Sequence, residues 1–148
     1  MDSKAIAVLA TAAAGGLVAM QAPINSGLGK ATGSLPAASF SFAIGLCALV
    51  GITVVSGEGF GRLGELGGLS WYYLIGGLLG AVYVTTVLIT VKTLGAGAVT
   101  AATISGQLTL SVILDRLGIL GLDKHGLSAS RLAGVALLAA GTFLIVRG

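Results

Sequence analysis

Residues 66–114 read LGGLSWYYLIGGLLGAVYVTTVLITVKTLGAGAVTAATISGQLTLSVIL, and Lys92 is the only charged side chain in that stretch. No water-soluble fold of this size can hide so long an apolar run, whereas lipid tolerates it. The run divides at Lys92 into two uncharged stretches, Leu66–Val91 and Thr93–Leu114, each beyond the roughly 20 residues needed to cross about 30 Å of hydrocarbon. Leu94-Gly95-Ala96-Gly97 is short and glycine-rich, and we expect a tight turn between two antiparallel helices there.

The rest of the chain has the same character. Ala5–Gly29 and Ala31–Gly57 are uncharged, and Leu132–Val146 forms a shorter apolar run that reaches spanning length if its helix starts near Ser128 and Arg131 extends to the headgroups. Of 148 residues, 55% are hydrophobic and only 9% are charged, with a mean hydropathy of +1.04; ordinary soluble domains carry about 25% charged residues. The expected fold is therefore an all-α integral membrane protein, one domain of five transmembrane helices over about 5–29, 35–56, 70–92, 96–115 and 128–146. Trp71, Tyr72 and Tyr73 suit an interfacial anchor at the start of the third helix. Lys4 followed by an apolar run resembles a signal peptide, but the run continues past signal length, and we expect it to remain as the first span.

Five spans place Lys4, Arg62, Arg116, Lys124 and Arg131 on one face and Lys30, Lys92 and Arg147 on the other. The excess of positive charge favours a cytoplasmic N-terminus by five to three, a margin thin enough to allow insertion both ways round. The net charge of +3 is scattered singly, so no nucleic-acid partner is expected. The single cysteine, Cys47, cannot form an intrachain disulfide. His125 reads as a solvated loop residue. We find no metal-ligand cluster, nucleophile–base pair or phosphate loop, so neither a cofactor nor a metal nor an enzymatic activity is expected.

Glycine, at 25 residues, would weaken soluble helices but lets helices in lipid approach closely. Gly76 and Gly80 make one GxxxG step, which reads as internal packing or as a dimer seam.

Polar groups at membrane depth carry the functional argument, because exposing them to lipid is costly. Thr100, Thr103, Gln107, Ser111 and Asp115 are spaced by three and four residues and share one stripe of the fourth helix. Hydrogen bonding between helices is the simpler account of the hydroxyls; Gln107, near mid-membrane, fits a solute contact equally well. On the first helix Gln21 and Asn25 lie one turn apart around Pro23, whose ring removes the hydrogen bond to the Ala19 carbonyl. Two carboxamides beside a proline suit recognition of a polar solute, or else satisfy local backbone. Tyr83, Thr86 and Thr90 share a face of the third helix, where Tyr83 could add an aromatic wall and a hydroxyl. No Asp or Glu lies in the middle of a span, so the carboxylate that proton-coupled exporters use is missing.

Three segments are familiar together: QAPINSGLGKATGSLPAASFSFAIG at 21–45, WYYLIGGLLGA at 71–81 and GQLTLSVILDRLGILG at 106–121. Gln21 with Asn25, Ser41-Phe42 before Gly45, Gly106-Gln107, and Asp115 before Gly118 make the combination specific. Over nearly the whole chain it resembles the YdcZ-type five-helix group of the drug/metabolite transporter superfamily. The resemblance implies a half-transporter in the bacterial cytoplasmic membrane, pairing with a second copy in inverted orientation or with a related inverted chain. Its small multidrug relatives use a glutamate in helix one, which this chain lacks, so their proton exchange is not implied.

The expected function is transport of a small polar or cationic solute by alternating access within such a dimer. The residues expected to contact solute are Gln21, Asn25 and Gln107, with Tyr83 and Thr103 as further lining. Inversion would bring Asp115 of one copy to the face of Lys30 or Lys92 of the other, and an intersubunit ion pair is expected there. A passive channel and a non-transporting subunit of a larger membrane complex are the alternatives.

Overall fold

A computed structural model describes residues 2–148. The described chain is all helical: α1 (Ser3–Thr32), α2 (Ser34–Ser56), α3 (Gly76–Leu117) and α4 (Ala129–Arg147), with 3-10 turns at Gly61–Gly68 and Trp71–Ile75. Four helical stretches are long and apolar enough to cross a membrane, Ser3–Thr32, Ser34–Ser56, Trp71–Leu117 and Ala129–Arg147. The third takes in both expected spans 70–92 and 96–115. Gly95 interrupts it with φ 77° and ψ 164°, outside helical geometry. That positive φ is one glycine adopts without penalty, so the break falls where the side chain is absent.

The ends of the helices follow local chemistry. The Asp2 carboxylate accepts from the Lys4 amide and Ser128 Oγ from the Arg131 amide, so α1 and α4 each begin with a side-chain cap. Gly33 alone separates α1 from α2, and Gly57 closes α2 in the left-handed conformation. Pro23 does not end α1, which stays helical to Thr32. With 30 residues α1 is about 45 Å long, more than the hydrocarbon thickness.

The chain forms two compact units, divided between Lys92 and Thr93. The first holds α1, α2 and the start of α3. Its core is Ala37, Ala38, Val84 and Leu88, with Leu28 and Tyr83 packed against it. α1 contributes a stripe of Ala22, Asn25, Ser26 and Gly29 at helical spacing. A Cβ added to Gly29 would stand 3.0 Å from Leu88 Cδ2 and 3.7 Å from Ala37 Cβ, so this glycine permits the close approach. α2 runs antiparallel to the start of α3: Ser34 lies beside Lys92, and Phe42 beside Gly80. Gly80 therefore meets an aromatic edge rather than a second small residue, while a Cβ at Gly76 or Gly77 would meet nothing within 4 Å.

The second unit holds the C-terminal part of α3 and α4. Ser105 and Thr142 hydroxyls share a hydrogen bond, and Thr142 also donates to the Ala101 carbonyl at 3.0 Å. At the end of this pair Arg131 Nη1 lies 3.2 Å from Asp115 Oδ2. The loop between them turns through positive φ at Gly118, Leu120 and Gly121, and the His125 amide donates to the Asp115 carbonyl at 2.8 Å. A Cβ at Gly118 would come within 2.9 Å of Lys124 Cβ, so the turn excludes a side chain on both counts.

Candidate functional site

Three of the five residues expected to contact solute come together in the first unit. Gln21, Asn25 and Tyr83 line one cleft between α1 and the start of α3, with Val18, Ala22, Val84, Val87 and Leu88 completing its walls. The reason is periodicity on two helices. Val18, Gln21, Ala22 and Asn25 recur every three or four residues on α1, and Tyr83, Val84, Val87 and Leu88 do so on α3. The Gly29–Leu88 contact brings the two faces together at one end of the cleft.

Asn25 is the deep member, with 6% of its surface exposed, while Gln21 remains exposed and Tyr83 half-buried. A carboxamide brings two N–H donors and one carbonyl acceptor, so Asn25 and Gln21 can bind either kind of polar group without carrying charge. Among the described residues no fully buried side-chain nitrogen or oxygen lacks a hydrogen-bond partner, and the Asn25 amide makes no side-chain hydrogen bond within the chain. The cleft's water-accessible volume is only ≈ 10 Å³, about what one water molecule needs. A larger solute requires α1 and α3 to separate.

Gln107 and Thr103 lie in the second unit. At about 100° per residue they sit roughly 200° and 160° around α3 from Ser105, which faces α4. The stripe of Thr100, Thr103, Gln107 and Ser111 thus lies away from α4, and Gln107 is exposed. The hydrogen bonds that do join α3 to α4 come from Ser105 and Thr142, which the polar spacing did not single out. Asp115 is engaged within the chain by Arg131, and Lys92 donates to Ser34 Oγ at 3.0 Å.

Several hydroxyls within the helices are satisfied locally. Thr86 and Thr90 donate to the carbonyls of Val82 and Thr86 at 2.8 and 2.9 Å. Thr11, Ser39, Thr53 and Thr109 make the same bond four residues back. A hydroxyl so bonded can face lipid, because its donor is already used. A carboxamide has too many polar atoms for that device, which separates Gln21, Asn25 and Gln107 from the hydroxyls.

Among the described residues no group of His, Cys, Asp and Glu could hold a metal ion. A family model described as "Putative inner membrane exporter, YdcZ" matches residues 6–144, nearly the whole chain. Neither a curated protein nor a solved structure matches it.

Proposed function

This chain belongs to the YdcZ family, described as inner-membrane exporters, and from that premise we propose that it carries a small polar solute across the bacterial inner membrane. Membership makes it a transporter of the inner membrane. The cleft, the route and the assembly are our reading. One observation carries it: a carboxamide, Asn25, is buried in the wall of a cleft, on a helix long enough to cross the bilayer. Burying so polar a group among Ala22, Val84 and Leu88 is costly unless it serves water or solute.

The proposed unit crosses the bilayer five times. A helix of 42 residues would extend about 63 Å, twice the hydrocarbon thickness, and the break at Gly95 supports one crossing on either side of it. An odd number of crossings puts the termini on opposite faces, with the N-terminus cytoplasmic by the balance of basic residues. Two such units inserted in opposite orientations form the transporter, and rocking between them exposes the site alternately. In this reading Gln21, Asn25 and Tyr83 contact solute in the first unit, and Gln107 and Thr103, on the stripe that α4 leaves uncovered, do so in the second. The small volume of the cleft supports a closed state that opens by helix movement rather than a standing pore.

Counterflow tests this reading. The full chain in proteoliposomes is loaded with an unlabelled mixture of small polar metabolites, and labelled members of the mixture are supplied outside. A carrier concentrates the label transiently, and Asn25→Leu abolishes that overshoot. Fast uptake without overshoot indicates a channel, and no uptake of any member indicates a subunit that does not transport.

A further inference from the structure

The first unit has a strong charge polarity along its length. Lys92 donates to Ser34, so the Lys92 end of the first segment of α3 lies beside the turn between α1 and α2. Lys30 stands in the last turn of α1 at that same end. Of the acids in this unit, Asp2 precedes α1, and Glu58 and Glu65 follow α2, at the opposite end. Two lysines and no carboxylate therefore mark one end, and three carboxylates with Lys4 and Arg62 mark the other.

The cleft lies near the lysine end. Asn25 is about 7.5 Å of helix rise from Lys30 and about 35 Å from Asp2. Leu88, in the cleft wall, is one turn or about 6 Å from Lys92 on the same helical face. The ends of α1 and of the first segment of α3 contribute about half a negative charge each, and the start of α2 about half a positive one. The two ammonium groups outweigh that sum. In the low dielectric around the cleft a cationic solute meets repulsion with no carboxylate of the unit itself to offset it, whereas an anionic group gains a partner.

We propose that the cleft selects solutes bearing an anionic group, such as a carboxylate, with Lys92 as the charge-selecting residue. The anion pairs with the Lys92 ammonium, and the neutral polar part of the solute bonds to Asn25 and Gln21. The Ser34 hydroxyl holds Lys92 in place until the solute arrives. This rests on the transport reading above and names the solute class for the same cleft.

Charged thiol reagents read the selection directly. Val87, in the cleft wall, is replaced as Val87→Cys in a Cys47→Ser background, and the full chain is placed in lipid nanodiscs, which leave both faces open. The introduced thiol is modified with the anionic sulfonatoethyl methanethiosulfonate and with its cationic trimethylammonium counterpart. Each rate is divided by that reagent's rate with free 2-mercaptoethanol. The expected result is faster normalised reaction of the anionic reagent, an advantage that falls roughly fivefold in Lys92→Gln and survives in Lys92→Arg. Equal rates, a cationic preference, or a preference that Lys92→Gln leaves unchanged overturns the anion selection alone. Failure of both reagents to react means that the cleft does not open to solutes of their size, which overturns the transport site itself.

Discussion

Gly29 and Leu88 are in such close contact that a single methyl on the glycine would stand 3.0 Å from a methyl of the leucine. Leu88 is fully buried, so it has no open space to retreat into. This contact sets the spacing of α1 and α3, and with it the width of the cleft between them. Gly29→Ala should lower stability in detergent by about 1 kcal/mol, and Gly29→Val by about 2–3 kcal/mol. Chemical denaturation followed by circular dichroism gives both values. An unchanged midpoint in Gly29→Val would show that the helices do not pack through this pair.

Asn25 and Gln107 should separate function from folding. Asn25→Leu and Gln107→Leu remove carboxamides without removing bulk, so each variant should insert and assemble as the parent does. Counterflow should be lost in both, a drop of tenfold or more from about 1.4 kcal/mol of lost binding. Full counterflow in Gln107→Leu would remove the second unit's polar stripe from the route.

The Asp115–Arg131 pair is about one-third exposed on each side, so screening leaves it a modest contribution of less than about 1 kcal/mol. Asp115→Arg should destabilise the chain slightly, and adding Arg131→Asp should recover the loss in the same denaturation assay. The intersubunit pairing predicts a different rescue. There, Lys30→Asp or Lys92→Asp would restore the crosslinked dimer of the Asp115→Arg variant, and Arg131→Asp would not.

Topology reporters at the two termini test the inverted pair. Signals from both faces of the membrane for each terminus are expected if one chain inserts both ways. A single orientation for each terminus would instead require a separate, oppositely inserted partner.

The carboxamides on α1 were legible in the sequence, because Gln21 and Asn25 share a helical face whatever the helix packs against. Their partner surface was not. Val84, Val87 and Leu88 are ordinary apolar residues in a helix apolar on all sides, and nothing in their identity says which of them turns to α1. The GxxxG step at Gly76 was the conspicuous packing signal, yet the close contact is made by Gly29. Small residues permit approach at every position where they occur, and only the meeting of two helices selects one. The hydroxyls were partly legible, as hydrogen-bonding groups without a named partner. Thr86 and Thr90 share a face with Tyr83, and each closes a bond to its own helix backbone, a choice of rotamer that spacing cannot reveal.

Composition and periodicity alone determined the surroundings of this protein, the helical character of its spans and the side chains too polar to face lipid. They suffice because the cost of placing polar groups in hydrocarbon depends on each residue and its neighbours along the helix. Tertiary structure decided which polar groups share a cleft, that Asp115 is held by Arg131, and that the cleft lies near two lysines and far from every carboxylate of its unit. Those relationships come from helices meeting across tens of residues, and energies of contact between distant segments are written only in how they pack.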